Sequence, residues 1–346
     1  MTKTNLSLLV AAYNVEDTLE KCIVSLEKQD ISVDSYEVII VNDGSTDTTL
    51  ALAKSLAKQY SNIKVISQEN KKLSGARKTG IENAQGEYLM FIDGDDYLQE
   101  NCLSFLLNTV CASELDILSF CFETVDLTGK RLPQEIRPQM PSLIFSGSDF
   151  MFTKYMKNSL VGNVFRRELF ENKEIVLSDG INKAEDKMVT YQVFYFAKKV
   201  QYIPNRLYFY ARNPHSICHT MSIDSFVDWL NVTNFLVLFA KQKVKQSNIQ
   251  KKYFSHLNEF TQTIFFYASS MIQEQSAYEQ VYAKAKELQL TSGDDEEGFP
   301  ANLSDLQKLF RKEQMIENAK IFINKYTYKF RQRKHSVNII LFHKNS

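Results

Sequence analysis

The sequence predicts an α/β fold, a mainly parallel sheet covered by helices, followed by a helical C-terminal region. Three observations predict it. Short apolar runs, Leu6 to Val10, Val38 to Val41 and Leu89 to Ile92, are rich in β-branched or aromatic residues and alternate with segments whose apolar residues recur at helical spacing. Those helical segments are long enough to serve as crossovers, which implies right-handed connections and parallel strands. After about residue 225 the strand pattern gives way to helical periodicity alone.

In chain order, Leu6 to Val10 reads as the first strand, and Leu19, Cys22, Ile23 and Leu26 as the buried face of the first helix. Val38 to Val41 is a second strand, and Ala53, Leu56, Ala57 and Tyr60 mark the next helix. Lys64 to Ser67 is a third, shorter strand. A helix starting near Gly75 to Ala76 leads to the strand at 88–92, and Leu103, Leu106, Leu107 and Val110 mark the helix after it. Ile117 to Cys121 is a further strand. Met188, Tyr191, Gln192 and Tyr195 lie on a helix that opens at Glu185-Asp186, and an edge strand precedes a polar segment holding Tyr208, Tyr210, Arg212, His215 and His219. Phe235 to Phe239, Phe260 to Met271 and Tyr278 to Leu290 are helical, and Asp294 to Gly298 is an exposed loop. This divides the chain into 1–225, the sheet-bearing domain, and 226–346, the helical region.

Bulk properties exclude several classes. Lys+Arg and Asp+Glu both number 41, so net charge points to no nucleic-acid partner. Five cysteines, an odd number without a CxxC pair, read as reduced core residues of a cytoplasmic protein. No uncharged apolar stretch approaches the roughly 20 residues of a spanning helix. Neither GxGxxG nor GxxxxGK[ST] occurs, which disfavours a nicotinamide enzyme or a P-loop ATPase.

Ligands of an open parallel sheet bind outside the carboxyl ends of its strands. The residues expected there are Ala12-Tyr13-Asn14, Asp43-Gly44-Ser45-Thr46-Asp47 and Asp93-Gly94-Asp95-Asp96. Asp93, Asp95 and Asp96 repel one another unless a cation or donors meet them. One reading is a polar turn with a helix N-cap at Asp95 or Asp96; the other is a divalent-cation site for a diphosphate. Asp43 has the same two readings, as part of a turn whose cap is Ser45 or Thr46, or as an acceptor for a nucleoside N–H or hydroxyl.

In this order the motifs resemble the family 2 glycosyltransferases, whose GT-A fold binds nucleotide-diphospho-sugars. The resemblance runs through Ala12-Tyr13-Asn14, Val41 to Asp47, Asn70, Ser74-Gly75-Ala76-Arg77, Ala84 to Tyr88 and Phe91 to Asp96. It continues through Gly162-Asn163, Arg166-Arg167, Glu185-Asp186 and Tyr208 to Arg212 with Ser216-Ile217. It implies that Tyr13, beside Ala12, packs on the nucleotide base, that Asp43 accepts from the base, and that Arg77 is a further nucleotide contact. Asp93 would hold the ribose, Asp95 would bind Mg or Mn bridging the phosphates, and Asp186 would be the general base. The implied reaction inverts the sugar, with a glycan or lipid-linked oligosaccharide as acceptor in surface-polysaccharide synthesis.

Lys78 stands where the family has Asn, and Gly162-Asn163 where it has Trp-Asn-Lys, so the acceptor transfers least from the family. Lys183 and Lys187 flank Asp186 in sequence and are expected to keep it ionised. Read without the family, Glu185-Asp186 is simply an acidic first helical turn. Arg212 reads either as a lid residue on the diphosphate or as a surface arginine stacked on tyrosine. His215 or His219 reads as a completing metal ligand or as a solvated side chain. From 318 to 346 there are seven Lys/Arg and no Asp or Glu. That stretch reads as a packed helix with a basic face, or as a contact to an anionic inner membrane leaflet. Two other functions fit parts of the pattern: a sugar-nucleotide-binding protein without turnover, and a nucleotidyltransferase, against which stands the lack of a glycine-rich basic loop after the first strand.

Overall fold

The computed structural model describes residues 5–133, 143–177, 180–181, 183–212 and 222–291, with 299, 304–305 and 307. Strands β1 (Leu6–Ala12), β2 (Tyr36–Asp43), β3 (Ile63–Gln68) and β4 (Tyr88–Asp93) run parallel, connected through helices α1 (Leu19–Glu27), α2 (Thr49–Gln59) and α3 (Lys72–Asn83). β1, β2 and β4 are covered on both sides, which is why they read as continuous apolar runs rather than alternating ones. β1 lies in the middle: Ala12 pairs with Asn42 on one side, and Ala11 with Asp93 on the other. This register brings the ends of β1, β2 and β4 level, so the segments after them share one edge.

The second half of the sheet departs from the parallel pattern. After β4 come β5 (Tyr97–Leu98), α4 (Leu103–Ala112) and β6 (Ile117–Val125). Then follow β7 (Ile144–Phe145), the short helix α5 (Gly147–Phe150), β8 (Asn163–Arg166), the short helix α6 (Glu168–Glu171), α7 (Glu185–Phe196) and β9 (Val200–Ala211). The strand order is β3-β2-β1-β4-β8-β6-β9-β5, with β7 also on β9. β8 is antiparallel to both β4 and β6, so β6 and the parallel β9 point the same way as β4 and also end at the ligand edge.

Two sequence expectations are corrected here. β9 is not an edge strand, since β6 flanks it on one side and β5 and β7 on the other, and Tyr208 and Tyr210 lie within it. Pro204 has no N–H to give the ladder, and the β6–β9 register jumps from Phe120↔Ile203 to Cys121↔Arg206 around it. The acidic turn leads into β5, so neither Asp95 nor Asp96 caps a helix.

Three helices follow the sheet: α8 (Ile223–Lys243), α9 (Ser247–Met271) and α10 (Gln275–Glu287). Val232, Leu236, Phe239 and Ala240 of α8, with Ile249, Tyr253 and Leu257 of α9, join the core beneath the sheet. Phe226, Leu230, Ile264, Phe265, Tyr278 and Val281 form a second core between the helices. By length and hydropathy α8 passes as a membrane span, but it carries Asp224, Asp228, Lys241 and Lys243 and buries one face in these cores. Residues 318–346 lie outside the described residues, as do His215 and His219.

Candidate active site

The loops after β1, β2 and β4 are tied to one another. The Asn14 N–H donates to Ser45 Oγ (3.1 Å), Asn14 Oδ1 accepts from the Thr46 N–H (2.8 Å), and the Val15 N–H donates to Thr49 Oγ1 (2.9 Å). Ser45 and Thr46 therefore brace the neighbouring loop, while the start of α2 is met by Asp47 Oδ1, which accepts from the Thr49 N–H. This corrects the capping role expected for Ser45 or Thr46. On the other side the Gly94 N–H donates to the Ala11 carbonyl (3.0 Å), and Thr18 Oγ1 donates to the Gly94 carbonyl (3.1 Å). A Cβ on Gly94 would come within 3.0 Å of the Ala11 oxygen and 3.1 Å of Val15 Cγ2. Glycine is required there for the acidic turn to lie against β1.

This lacing sets the positions of the first candidate residues. Ala12 is buried at the end of β1, and the Tyr13 ring stands 41% exposed beside it, a large flat surface at the ligand edge. Asp43 is buried; its Oδ1 accepts from Gln68 Nε2 (2.7 Å) and from the Lys71 N–H (2.9 Å). No described residue donates to Oδ2, which leaves one carboxylate oxygen for a ligand. Gly44 at φ +71° makes the tight approach to Asn70 that holds this turn; a Cβ there would sit 2.8 Å from the Asn70 nitrogen.

The three acids after β4 separate by environment. Asp96 is interior: Oδ2 accepts from the Tyr208 hydroxyl (2.6 Å) and Oδ1 from the Ala211 N–H (2.8 Å). Burial, then the charges of Asp95 and Asp93, hold its carboxyl well above the ordinary range. Asp96 thus fastens β9 to the acidic turn and is no ligand group. Asp93 and Asp95 remain half-buried at the edge. Arg212 lies one residue past β9, its N–H donating to the Val125 carbonyl (2.8 Å), at the same edge.

Asp186 lies in the first turn of α7, and the cation set against it is Arg77, which forms an ion pair with it. Arg77, on α3, is 6% exposed; its Nη1 also meets Glu185 Oε1 at 3.1 Å, and its Nη2 meets Asp93 Oδ1 at 2.9 Å. The structure thus brings Asp93, Arg77 and Asp186 together, a contact that no motif along the chain signals. Burial raises the Glu185 and Asp186 carboxyls, Arg77 opposes in both, and the charge of Asp93 adds to both and that of Asp186 to Glu185.

The expectation that Lys187 keeps Asp186 ionised is corrected. Lys187 points away, its Nζ 3.5 Å from the Phe260 ring centroid and 5.3 Å from that of Tyr191. On a helix, adjacent residues face different directions, which neighbourhood in sequence does not convey.

Lys187 is buried, and burial pushes its ammonium from 10.5 down to about 7, with Glu259 opposing. The unfolded chain therefore holds more protons than the folded one between about pH 7 and 10.5, so stability rises with pH across that window. Lys187→Met should remove that slope and stabilise the protein at pH 7 by about 1–2 kcal/mol, less desolvation being offset by the lost cation–π contact. Thermal unfolding at pH 7 and pH 9 checks it; an undiminished slope in the variant contradicts it.

Comparison with known proteins agrees with this architecture. Residues 7–173 match the model of the family Glycosyl transferase family 2. EpsJ and EpsH of Bacillus subtilis (strain 168), both named as glycosyltransferases, are similar to the chain. EpsJ is 34% identical over 219 residues, 61% of this chain and 62% of that protein, so the match spans less than two thirds of EpsJ. EpsH is 31% identical over 257 residues, 71% of this chain and 72% of that protein. Staphylococcus aureus TarS shares the fold at 20% identity, TM-score 0.67, over 93% of this chain and 54% of its own. Its fragment 1–349 in complex with UDP-GlcNAc superposes at TM-score 0.60 and 19% identity, over 89% of this chain and 92% of its own. The family match, the relatives' names and a mixed sheet with its acidic edge agree: the chain belongs to the family 2 glycosyltransferases.

Proposed function

We propose that this glycosyltransferase moves a sugar from a nucleoside-diphosphate donor, with UDP-GlcNAc as the first candidate, to a hydroxyl of a surface glycan or lipid-linked oligosaccharide, inverting the anomeric centre. The observation that carries the reading is the convergence of the exposed Tyr13 ring, the Asp43 Oδ2 to which no described residue donates, and the Asp93 and Asp95 carboxylates on one edge. A ring, an acceptor and paired acids are the groups needed for base, nucleoside N–H, ribose and metal–diphosphate. The TarS fragment crystallised with UDP-GlcNAc and with UDP supports this donor class. TarS is named as a poly(ribitol-phosphate) β-N-acetylglucosaminyltransferase, which supports a surface-polymer acceptor.

Mg or Mn fits the donor set at this edge. Among the described residues no group of three or more His, Cys, Asp or Glu forms a protein-only cage, and the acids at the edge offer oxygen alone. Asp95 would hold such an ion jointly with phosphate and water, the ligation these hard cations prefer. When bound, the ion would neutralise charge on the leaving diphosphate. On the protein's side, Tyr13 and Asp43 orient the nucleoside, Asp93 the ribose, and Asp186 takes the proton of the attacking hydroxyl. Arg212, at the same edge, is placed to meet the diphosphate.

A thermal-shift screen of UDP-, GDP- and dTDP-sugars with and without Mn tests the donor class. A donor at 100 times its Kd stabilises by about 2.7 kcal/mol, a shift of several degrees. UDP-sugars with Mn should give the largest shift. A set of donors that shifts nothing with Mn would overturn the reading.

A further inference from the structure

We infer that Arg77 is a strut for the reaction and not a nucleotide ligand: it fixes the distance between the ribose-holding Asp93 on β4 and the base Asp186 on α7. The inference rests on the reading of Asp186 as the base.

The geometry carries it. Arg77 spans two elements that no strand pairing connects, with Nη2 on Asp93 (2.9 Å) and Nη1 on Asp186 and Glu185 (3.1 Å to the latter). Three of its four terminal N–H bonds are thereby engaged, and the side chain is 6% exposed, which leaves little of it for a nucleotide. Its Nε is buried with no partner among the described residues. An unpaired buried donor is unfavourable. The position is therefore dictated by the carboxylates and not by the arginine's own hydrogen bonding.

The backbone across from it carries a second sign of constraint. Ala184, immediately before α7, is left-handed at φ +62°, a conformation that L-residues with a Cβ adopt only at a cost. That turn starts α7 so that both Glu185 and Asp186 reach the one guanidinium. Strain of this kind persists only where surrounding contacts over-determine it.

A strut matters because transfer needs the acceptor oxygen in line with the bond being broken. A misplacement of about 1 Å between base and donor costs on the order of 100-fold. A guanidinium can bridge Asp93 and Asp186 at once because its donors form a rigid planar fork; an ammonium is a point charge that cannot hold both with the same geometry.

The test uses the full chain, Mn, UDP as the binding probe and UDP-GlcNAc as the turnover probe, read as UDP release with water as acceptor. For Arg77→Lys the strut predicts a UDP Kd within about threefold of wild type and UDP release at saturating UDP-GlcNAc down about 100-fold. Glu185→Gln removes one carboxylate but leaves the Asp93–Arg77–Asp186 bridge, and release should fall less than about fivefold. The inference is overturned if Arg77→Lys weakens UDP tenfold or more while saturated release is unchanged, the signature of a nucleotide contact. It is equally overturned if Glu185→Gln is as damaging as Arg77→Lys. Asp186→Asn separates the two readings: normal release there removes the base assignment, whereas lost release there with normal release in Arg77→Lys removes the strut alone.

Discussion

Asp186→Asn is expected to lower sugar transfer by about 10²–10⁴-fold while leaving UDP binding in the presence of Mn within a few-fold of wild type. The substitution keeps shape and removes the ability to take a proton. Asp186 lies in the first turn of α7, against Arg77 and across from the edge that carries Asp93 and Asp95. Burial, opposed by Arg77, raises its carboxyl above the ordinary 3.8. The pH dependence follows from that sign. Below its pKa the group is protonated and cannot act as a base, so the rate falls as pH drops through it, from a point above the ordinary aspartate range. The rate–pH profile should show that acid limb in wild type and lack it in the asparagine variant. Equal transfer by both proteins would show that a different group is the base, and no transfer by either would favour a sugar-nucleotide-binding protein.

The parallel half of the fold was legible because β1, β2 and β4 are covered on both faces and announce themselves as apolar runs. Their register then places Tyr13, Asp43 and the acidic turn together without further information. The other half was less legible for physical reasons. β5 and β7 are two residues each, too short for any periodicity, and β8 has four. Pro204 within β9 masks an interior strand, because its missing N–H is absorbed by a bulge that the sequence does not mark. At the site, the sequence shows three acids after β4 but not that Asp96 turns inward to Tyr208 and Ala211. One signal was available: in a D-G-D-D turn following a buried strand, some carboxyl must meet backbone donors. The bridge from Arg77 to Asp186 joins residues 109 apart and no pattern along the chain encodes it.

The central claim is that the edge holds a divalent ion together with the donor's diphosphate through Asp95. Asp95 is half-buried beside Asp93, in a turn that the Gly94 N–H fixes to the Ala11 carbonyl. Losing a carboxylate that shares a cation with phosphate is expected to cost about 3–4 kcal/mol of affinity, by analogy with breaking a close charge pair. That is roughly 100- to 1,000-fold in Kd. Calorimetric titration of UDP into wild type and Asp95→Ala, each with Mn and with EDTA, measures it directly. The account predicts tight binding by wild type with Mn, at least 100-fold weaker binding with EDTA, and an alanine variant that no longer responds to Mn. UDP binding of equal strength in all four titrations would contradict it.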